Sequence, residues 1–244
     1  MISTREPSDP WRRLGVRIIL GGVIALLVVG CVRILEPKQS NITYYLLDGQ
    51  MGSVPTSPDS AGLTVGLREP GLASYLDAAR IVTRYGAHTI DFSDFHRWGE
   101  TLDRAINRVV ARTLETQEGI HSAEVVPWSH GSAFDYVLQM HVLQFEGRTS
   151  RPPPPEDKSD YEGEHTGHSQ MLVQWTILSS DGETVLSRGT TRHQETGWPI
   201  ADYGALVSRL DTSLVVLAGE IGERIRAVDR RRRSRSRVTG ETKP

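Results

Sequence analysis

The chain has 244 residues and almost balanced charge, with 28 Lys and Arg against 30 Asp and Glu. Its single cysteine, Cys31, excludes an intrachain disulfide framework, so the fold must be held by its core. Six arginines crowd into residues 230–237. The rest of the chain after residue 30 is therefore acidic, which argues against a nucleic-acid-binding domain.

The first 30 residues have the pattern of a secretory signal. Residues 1–17 carry four arginines against two carboxylates, and residues 18–30, IILGGVIALLVVG, carry no charge. A transmembrane helix needs about 20 apolar residues, so this run is too short to span a bilayer. Its length and its positive flank are typical of the apolar part of a cleaved signal peptide.

Cys31 ends this apolar run within the sequence Val28-Val29-Gly30-Cys31, which resembles the lipobox of bacterial lipoproteins. In such signals a small residue precedes the cysteine, and the thiolate is the nucleophile that receives a diacylglyceryl group. We therefore expect residues 1–30 to be removed and residues 31–41 to form the lipid anchor and tether. The alternative is a free cysteine buried in an uncleaved signal-anchor helix.

Val32 follows the predicted anchor, where the enteric sorting rule places Asp in lipoproteins that stay in the inner membrane. By that resemblance, we expect the protein to be anchored in the outer membrane and to face the periplasm.

Between residues 42 and 117, the sequence predicts short strands followed by one helix. The composition predicts strands at 42–48, 62–68, 80–86 and 88–92, with one or two helical turns at 72–79. Apolar residues at spacings of three and four predict a helix over 94–117, capped by Ser93 or Asp94, with Trp98 on its buried face.

Between residues 134 and 229, the sequence predicts three antiparallel strands and a second helix. Strands are predicted at 134–147 and 169–179, and Asp181-Gly182 predicts a hairpin into a third. The polar, proline-rich segment 149–168 is predicted to be a long loop. A seven-residue apolar repeat predicts a helix over 202–229 that packs on its own sheet, followed by a disordered arginine-rich tail at 230–244.

These elements predict an α+β (mixed α/β) fold. We expect a mostly antiparallel sheet packed with two main helices, in a single domain over 42–229 that follows the cleaved signal.

Four segments in order resemble the ABC-type transport auxiliary lipoproteins, the PqiC/YmbA-like family. They are TYYLLD, VGLREPGLASYLDAARIVTRYG, RWGETLDRAINRVVARTL and YVLQMHVLQFEG. The most specific elements are Arg97-Trp98 with Leu102, and the LQFEG of Leu143 to Gly147. The proline-rich loop and the arginine tail depart from the family pattern.

The resemblance implies an outer-membrane-anchored periplasmic protein that partners an MCE-domain protein and an ABC-type permease, which move lipids across the envelope. Assembly into a homo-oligomer is left open. No nucleic-acid partner and no cofactor are expected.

An enzyme is the main alternative, but the usual motifs do not occur. The sequence contains no Gly-x-Ser-x-Gly, His-Glu-x-x-His or phosphate-binding loop. Two sets of polar residues could suggest a metal site or acid–base pairs: Glu162, Glu164, His165 and His168, and His88 with Asp91 and Asp94 with His96. A flexible loop, strand edges and helix caps explain them more simply, so we expect no catalytic or metal site. A lipid-anchored periplasmic hydrolase or small-ligand carrier without a motif remains the second hypothesis.

Overall fold

A computed structural model of the chain describes residues 41–49, 62–150, 166–200 and 202–240, with side chains through Arg235. The predictions for the signal peptide, for Cys31 as lipid anchor and for most of the proline-rich loop lie outside these residues.

The described residues form one mixed sheet and two helices. The strands are β1 (Thr43–Tyr45), β2 (Leu63–Leu67), β3 (Gly71–Leu72), β4 (Arg80–Tyr85), β5 (Thr89–Trp98), β6 (Ile120–Val125), β7 (Tyr136–Thr149), β8 (Thr166–Leu178) and β9 (Val185–Pro199). The helices are α1 (Leu102–Glu115) and α2 (Tyr203–Gly240), and a 3-10 turn occupies Ser74–Leu76.

Strand β7 organises the sheet. One of its edges pairs antiparallel with β8, which pairs in turn with β9. Its other edge is shared, along its length, by the short parallel strands β2, β3 and β4. Strand β6 extends the sheet beyond β2, while β5 and β1 extend it beyond β4.

The predicted fold class is confirmed. The antiparallel pairings of β7, β8 and β9 are the longest in the sheet, and both helices contribute their apolar residues to its core. Along β7, alternate side chains such as Leu138, Met140 and Val142 are buried. On β9, the face that carries Arg188 and Arg192 is exposed to solvent.

Helix α2 packs on its own sheet, as predicted. Its column of leucine and isoleucine side chains is fully buried: Leu206, Leu210, Leu214, Leu217, Ile221 and Ile225. Ala218 is also fully buried, so a small residue sits within this column.

The predicted start of the first helix is wrong. Residues 94–98 belong to β5, and α1 begins only at Leu102. The strand continues because its last residues pair in parallel with all of β1, a partner that is distant in sequence. The hydroxyl of Ser93, predicted as a helix cap, instead accepts a hydrogen bond from the backbone N–H of His96, 3.1 Å away.

The predicted disorder of the arginine tail is also wrong for residues 230–240, because α2 continues through them. Arginine is a good helix former, and the Arg233 guanidinium pairs with Asp229 one turn earlier at 2.7 Å. The hydroxyl of Ser234 donates to the carbonyl of Arg230. Local interactions therefore support helix beyond the domain core.

Two smaller differences concern strands. The loop predicted at 149–168 is shorter at both ends, because β7 reaches Thr149 and β8 begins at Thr166. Strand β6 was not predicted, because IHSAEV lacks the apolar alternation of a half-buried strand. This segment forms a strand because it pairs in parallel with β2.

We predict that Trp98→Ala lowers the free energy of unfolding by about 3–5 kcal/mol, because a buried indole leaves a large cavity. Trp98 is 5% exposed, and its ring centroid lies 6.0 Å from that of Phe145. Urea unfolding measures the loss as a lower midpoint with an unchanged slope. Val216→Ala, at a site 41% exposed, is the control and should change stability by less than about 0.5 kcal/mol. Unchanged stability in Trp98→Ala would contradict the core assignment.

Candidate docking surface

An exposed apolar stripe runs along the first strand. Within the described sheet β1 pairs only with β5 and is an edge strand. Three apolar side chains alternate along this strand and the residues on either side of it: Ile42, Tyr44 and Leu46, with exposed fractions of 36%, 62% and 62%. Edge strands usually carry charges that prevent pairing with other chains. This edge stripe, as we call the three residues, is therefore a candidate docking surface.

The inward side of β1 is held by an aromatic cluster. The Tyr45 hydroxyl lies 2.9 Å from Nδ1 of His96, and the His96 ring stacks on Tyr203 with centroids 4.0 Å apart. Burial lowers the pKa of His96 and raises the pKa of Tyr45, so both groups tend to stay neutral and the phenol hydroxyl can donate a hydrogen bond to the imidazole. The cluster ties β1 to β5 and to the start of α2.

The segment after β1 is fixed to both helices. Leu47 is buried, and the backbone N–H groups of Asp48 and Gly49 donate to the Asp211 carboxylate of α2 at 3.1 and 2.9 Å. The Arg108 guanidinium of α1 donates to the carbonyl of Leu47 at 2.8 Å. The edge stripe is therefore presented by a segment that is fixed on its inner side and exposed on its outer side.

A buried polar cluster lies elsewhere on the sheet, on the C-terminal half of β7. The Glu146 carboxylate is fully buried and accepts from Arg84 at 2.5 Å and from the Tyr75 hydroxyl at 2.7 Å. Burial, followed by the contact with Glu146, raises the pKa of Tyr75. Arg148 lies 3.7 Å from the same carboxylate. Because every member pairs within the cluster, its geometry is that of a structural ion pair.

The residues considered as acid–base pairs do not come together as such. Asp94 lies 3.5 Å from Arg80, and His96 pairs with Tyr45 instead of with Asp94. His88 lies exposed in the β4–β5 turn.

Of the residues considered as metal ligands, only His168 is described. It belongs to β8, where burial and the nearby Arg148 lower its pKa. In the described part of the chain, no group of three or more His, Cys, Asp or Glu side chains could hold a metal ion.

The edge stripe itself was not predicted. The sequence ITYYLL is apolar or aromatic at nearly every position, so alternation cannot tell which side of the strand is buried. Only the contacts of Tyr45 and Leu47 with the helices and β5 decide this.

Comparison with known proteins gives a family and a fold. The profile of the family described as "ABC-type transport auxiliary lipoprotein component" matches residues 45–222. No curated protein is similar enough in sequence to be matched.

Two solved structures resemble the chain along almost their whole length. A Xanthomonas campestris protein of the DUF330 family superimposes with a TM-score of 0.60 at 16% identity, covering 79% of this chain and 99% of its own. An uncharacterised protein gives a TM-score of 0.51 at 16% identity, covering 76% and 99%. At such low identities these structures show the fold alone.

We predict that the chain loses stability as the pH falls below 6.5, the ordinary pKa of histidine, because burial holds the folded pKa of His96 lower. The unfolded chain then binds a proton that folded His96 resists, so its contribution is present above pH 6.5 and is lost below it. Thermal unfolding from pH 7 to pH 5 should show a shallower decline in His96→Gln than in the parent chain. His88→Gln, in the exposed turn, is the control and should keep the parent decline. An equal decline in His96→Gln would contradict the assignment.

Proposed function

The chain belongs to the family of ABC-type transport auxiliary lipoprotein components, and we propose that it is the lipid-anchored docking subunit of an ABC-type lipid-transport system. The family supports an auxiliary lipoprotein role and an association with an ABC transporter. In the described residues, no helix is long and apolar enough to cross a membrane. Attachment through an acylated Cys31 is the part of the proposal that would hold the domain at a membrane.

The partner in this proposal is an MCE-domain protein together with its permease. The observation that supports the docking role is the edge stripe, whose apolar side chains lie at an edge of the sheet that the described residues form. An extended segment of the partner could pair with β1 and cover Tyr44 and Leu46, which is a common mode of peptide recognition. Residues 32–41 span at most about 33–36 Å, so the stripe would stay near the membrane.

The proposed location is the periplasmic side of the outer membrane. Val32 supports it, because this residue follows the predicted anchor where Asp would favour retention in the inner membrane. In that position the domain would receive the outer end of a transport complex.

The proposed action is binding. Of the residues considered for catalysis, His96 pairs with Tyr45 and Asp94 pairs with Arg80. A lipid-anchored hydrolase or small-ligand carrier is the alternative, and an assay of the purified protein for hydrolysis or ligand binding separates it from the docking role.

We predict that the mature protein begins at an acylated Cys31. Mass spectrometry of the purified protein should find no residue before Cys31 and a mass increase at its N-terminus from the attached acyl chains. Cys31→Ser should give an unprocessed chain, because the thiolate is the acyl acceptor. An intact Met1 or an unmodified Cys31 in the parent protein would contradict the anchor.

We predict that Tyr44→Arg together with Leu46→Arg reduces recovery of the transporter partners by at least about tenfold, since covering two unpaired charges costs far more than the 1.4 kcal/mol that this factor represents. Co-purification of the detergent-solubilised chain with the proteins of its genomic neighbours measures the recovery. Val185→Arg with Leu186→Arg, on the β9 edge with exposed fractions of 42% and 37%, is the matched control. Unfolding midpoints of both double variants should stay near that of the parent.

Equal recovery with both double variants would place docking elsewhere on the domain. Light scattering tests the homo-oligomer: an oligomer that the Tyr44 and Leu46 substitutions dissociate would show that the stripe joins copies of the chain. Absence of MCE-type and permease partners, together with measured turnover of a periplasmic substrate, would favour the hydrolase.

A further inference from the structure

The three long strands β7, β8 and β9 have one face that neither described helix covers. Helix α2 lies on the opposite face, where the Trp175 indole donates to the Thr191 hydroxyl at 3.0 Å and that hydroxyl donates to Glu220 of α2. Successive residues of a strand point to opposite sides of the sheet. Gln174 and Thr190, which pair across β8 and β9, therefore lie on the uncovered side, and both are exposed. We call this side of the three strands the outer face.

Two exposed arginines on the outer face have no counter-charge. Arg188 lies opposite Thr176 of β8. Arg192, four residues farther along β9, lies opposite Leu172. Neither arginine makes an ion pair with another residue in the described part of the chain. Among the described residues of the three strands, Glu146 is the one carboxylate on this face, and it is buried and already paired. The outer face therefore carries a net positive charge.

A cleft of about 640 Å³ lies in the outer face beside Arg188. Nε2 of Gln139 and Nε2 of His141, both on β7, lie 3.4 Å apart at this cleft. Arginine binds phosphate through two parallel N–H groups, and neutral amides and hydroxyls can bind the remaining oxygens. The cleft offers both kinds of donor, because hydrogen-bonding side chains from all three strands line it with the guanidinium: Gln139, His141, Gln174, Thr176 and Thr190.

The second arginine indicates an extended ligand that carries several phosphates. The Cα atoms of Arg188 and Arg192 are about 13 Å apart along β9, because a strand rises about 3.3 Å per residue. The outer face between and beyond them is exposed at Thr190, Gln194 and Thr196. Sites for small molecules usually enclose most of the ligand, whereas this face is open along a whole strand. A layer of phosphate groups can contact both arginines at once.

We propose that the outer face of β7, β8 and β9 binds the phosphodiester headgroups of an anionic phospholipid leaflet. Arg188 binds one phosphate in the cleft with the neutral donors around it, and Arg192 binds a second. One arginine near an anionic leaflet contributes about fivefold in affinity, so the two together contribute about thirtyfold. Helix α2, on the opposite face, then points away from the membrane.

The headgroup contact is independent of the edge stripe. The stripe lies at β1, which pairs with β5 and with none of the three long strands, so a partner can cover it while the outer face binds lipid. The orientation of the domain on a membrane, though not the headgroup contact, rests on the proposed anchor at Cys31. One experiment therefore measures the contact and a second measures the orientation.

The contact is tested by NMR titration of the isotope-labelled purified protein with glycerophosphoglycerol, the water-soluble headgroup of phosphatidylglycerol. It should cause saturable shifts of the backbone amides of Gln174, Thr176, Arg188 and Thr190. Glycerophosphocholine, the matched headgroup, should bind several-fold more weakly, because its ammonium group is repelled by the arginines. The peptide acetyl-Glu-Glu-Glu-amide represents an acidic protein segment and should also bind more weakly than glycerophosphoglycerol.

The orientation is tested on the acylated protein in vesicles. Because acylation blocks Cys31, a cysteine introduced by Gln194→Cys on the outer face, or by Val216→Cys at an exposed site on α2, offers one thiol for a fluorophore. Lipids with a spin label on the headgroup quench a fluorophore that lies near the membrane. In equal parts of phosphatidylcholine and phosphatidylglycerol, the label at Gln194 should be quenched more than the label at Val216. Phosphatidylcholine alone, or high salt, should remove the difference.

Matched double variants decide whether the two arginines cause both effects. Arg188→Gln with Arg192→Gln should abolish the extra quenching and weaken headgroup binding at least about fivefold. Arg224→Gln with Arg230→Gln removes the same charge from exposed sites on α2 and should preserve both effects. Unfolding midpoints of both double variants are measured, so that a loss of binding is not confused with a loss of fold.

The proposal is overturned if glycerophosphoglycerol moves none of these amides, or if glycerophosphocholine or the acidic peptide binds as tightly. Equal quenching of the two labels on anionic vesicles would also overturn it, as would parent behaviour of the folded Arg188 and Arg192 double variant. A protein that does not float with vesicles would instead contradict the anchor, and the headgroup titration would still decide the contact.

Discussion

The buried carboxylate of Glu146 is the constraint on which the arrangement of the sheet depends. A charge with no exposed surface is strongly unfavourable unless partners surround it, and here the partners come from other elements. Arg84 comes from β4, and Tyr75 comes from the 3-10 turn that follows β3. Because β3 and β4 share the same edge of β7, satisfying Glu146 places the short strands against the long one. We expect such a pair to contribute more to the choice of register than to net stability, because the cost of burying two charges offsets most of their attraction.

The residues on either side of Glu146 make contacts on the opposite face of the sheet. Phe145 packs against Trp98 at the end of β5. At Gly147 a β-carbon would lie 2.6 Å from the Trp198 ring, so only glycine allows Trp198 and the start of α2 to approach. The LQFEG segment therefore contacts β5, the 3-10 turn and α2 through successive residues. This gives a structural role to Leu143–Gly147 and Arg97-Trp98, the segments on which the resemblance to the family was chiefly based. The profile match confirms the family itself.

The sequence predicted those elements whose buried residues recur at the regular spacing of a helix or a strand. The apolar repeat of α2 and the three long antiparallel strands are visible in the sequence, because burial follows their own periods. The start of α1 was misplaced because the end of β5 is stabilised by β1, about fifty residues earlier. The exposure of Tyr44 could not be predicted, since it depends on which distant elements cover each side of its strand. For Cys31 the proposed role rests on the sequence alone, because this residue lies outside the described part of the chain.

The proposed anchor changes how strong the other contacts must be. Strand β1 is only three residues long, so a contact made through it alone would be weak. A tether that spans at most about 33–36 Å would keep the domain near the membrane, where the effective concentration of a membrane-bound partner would be raised. A weak contact would then suffice to hold a complex together, while it could still dissociate. Such a contact would also release its partner quickly, because related interfaces of different affinity differ mainly in their dissociation rates.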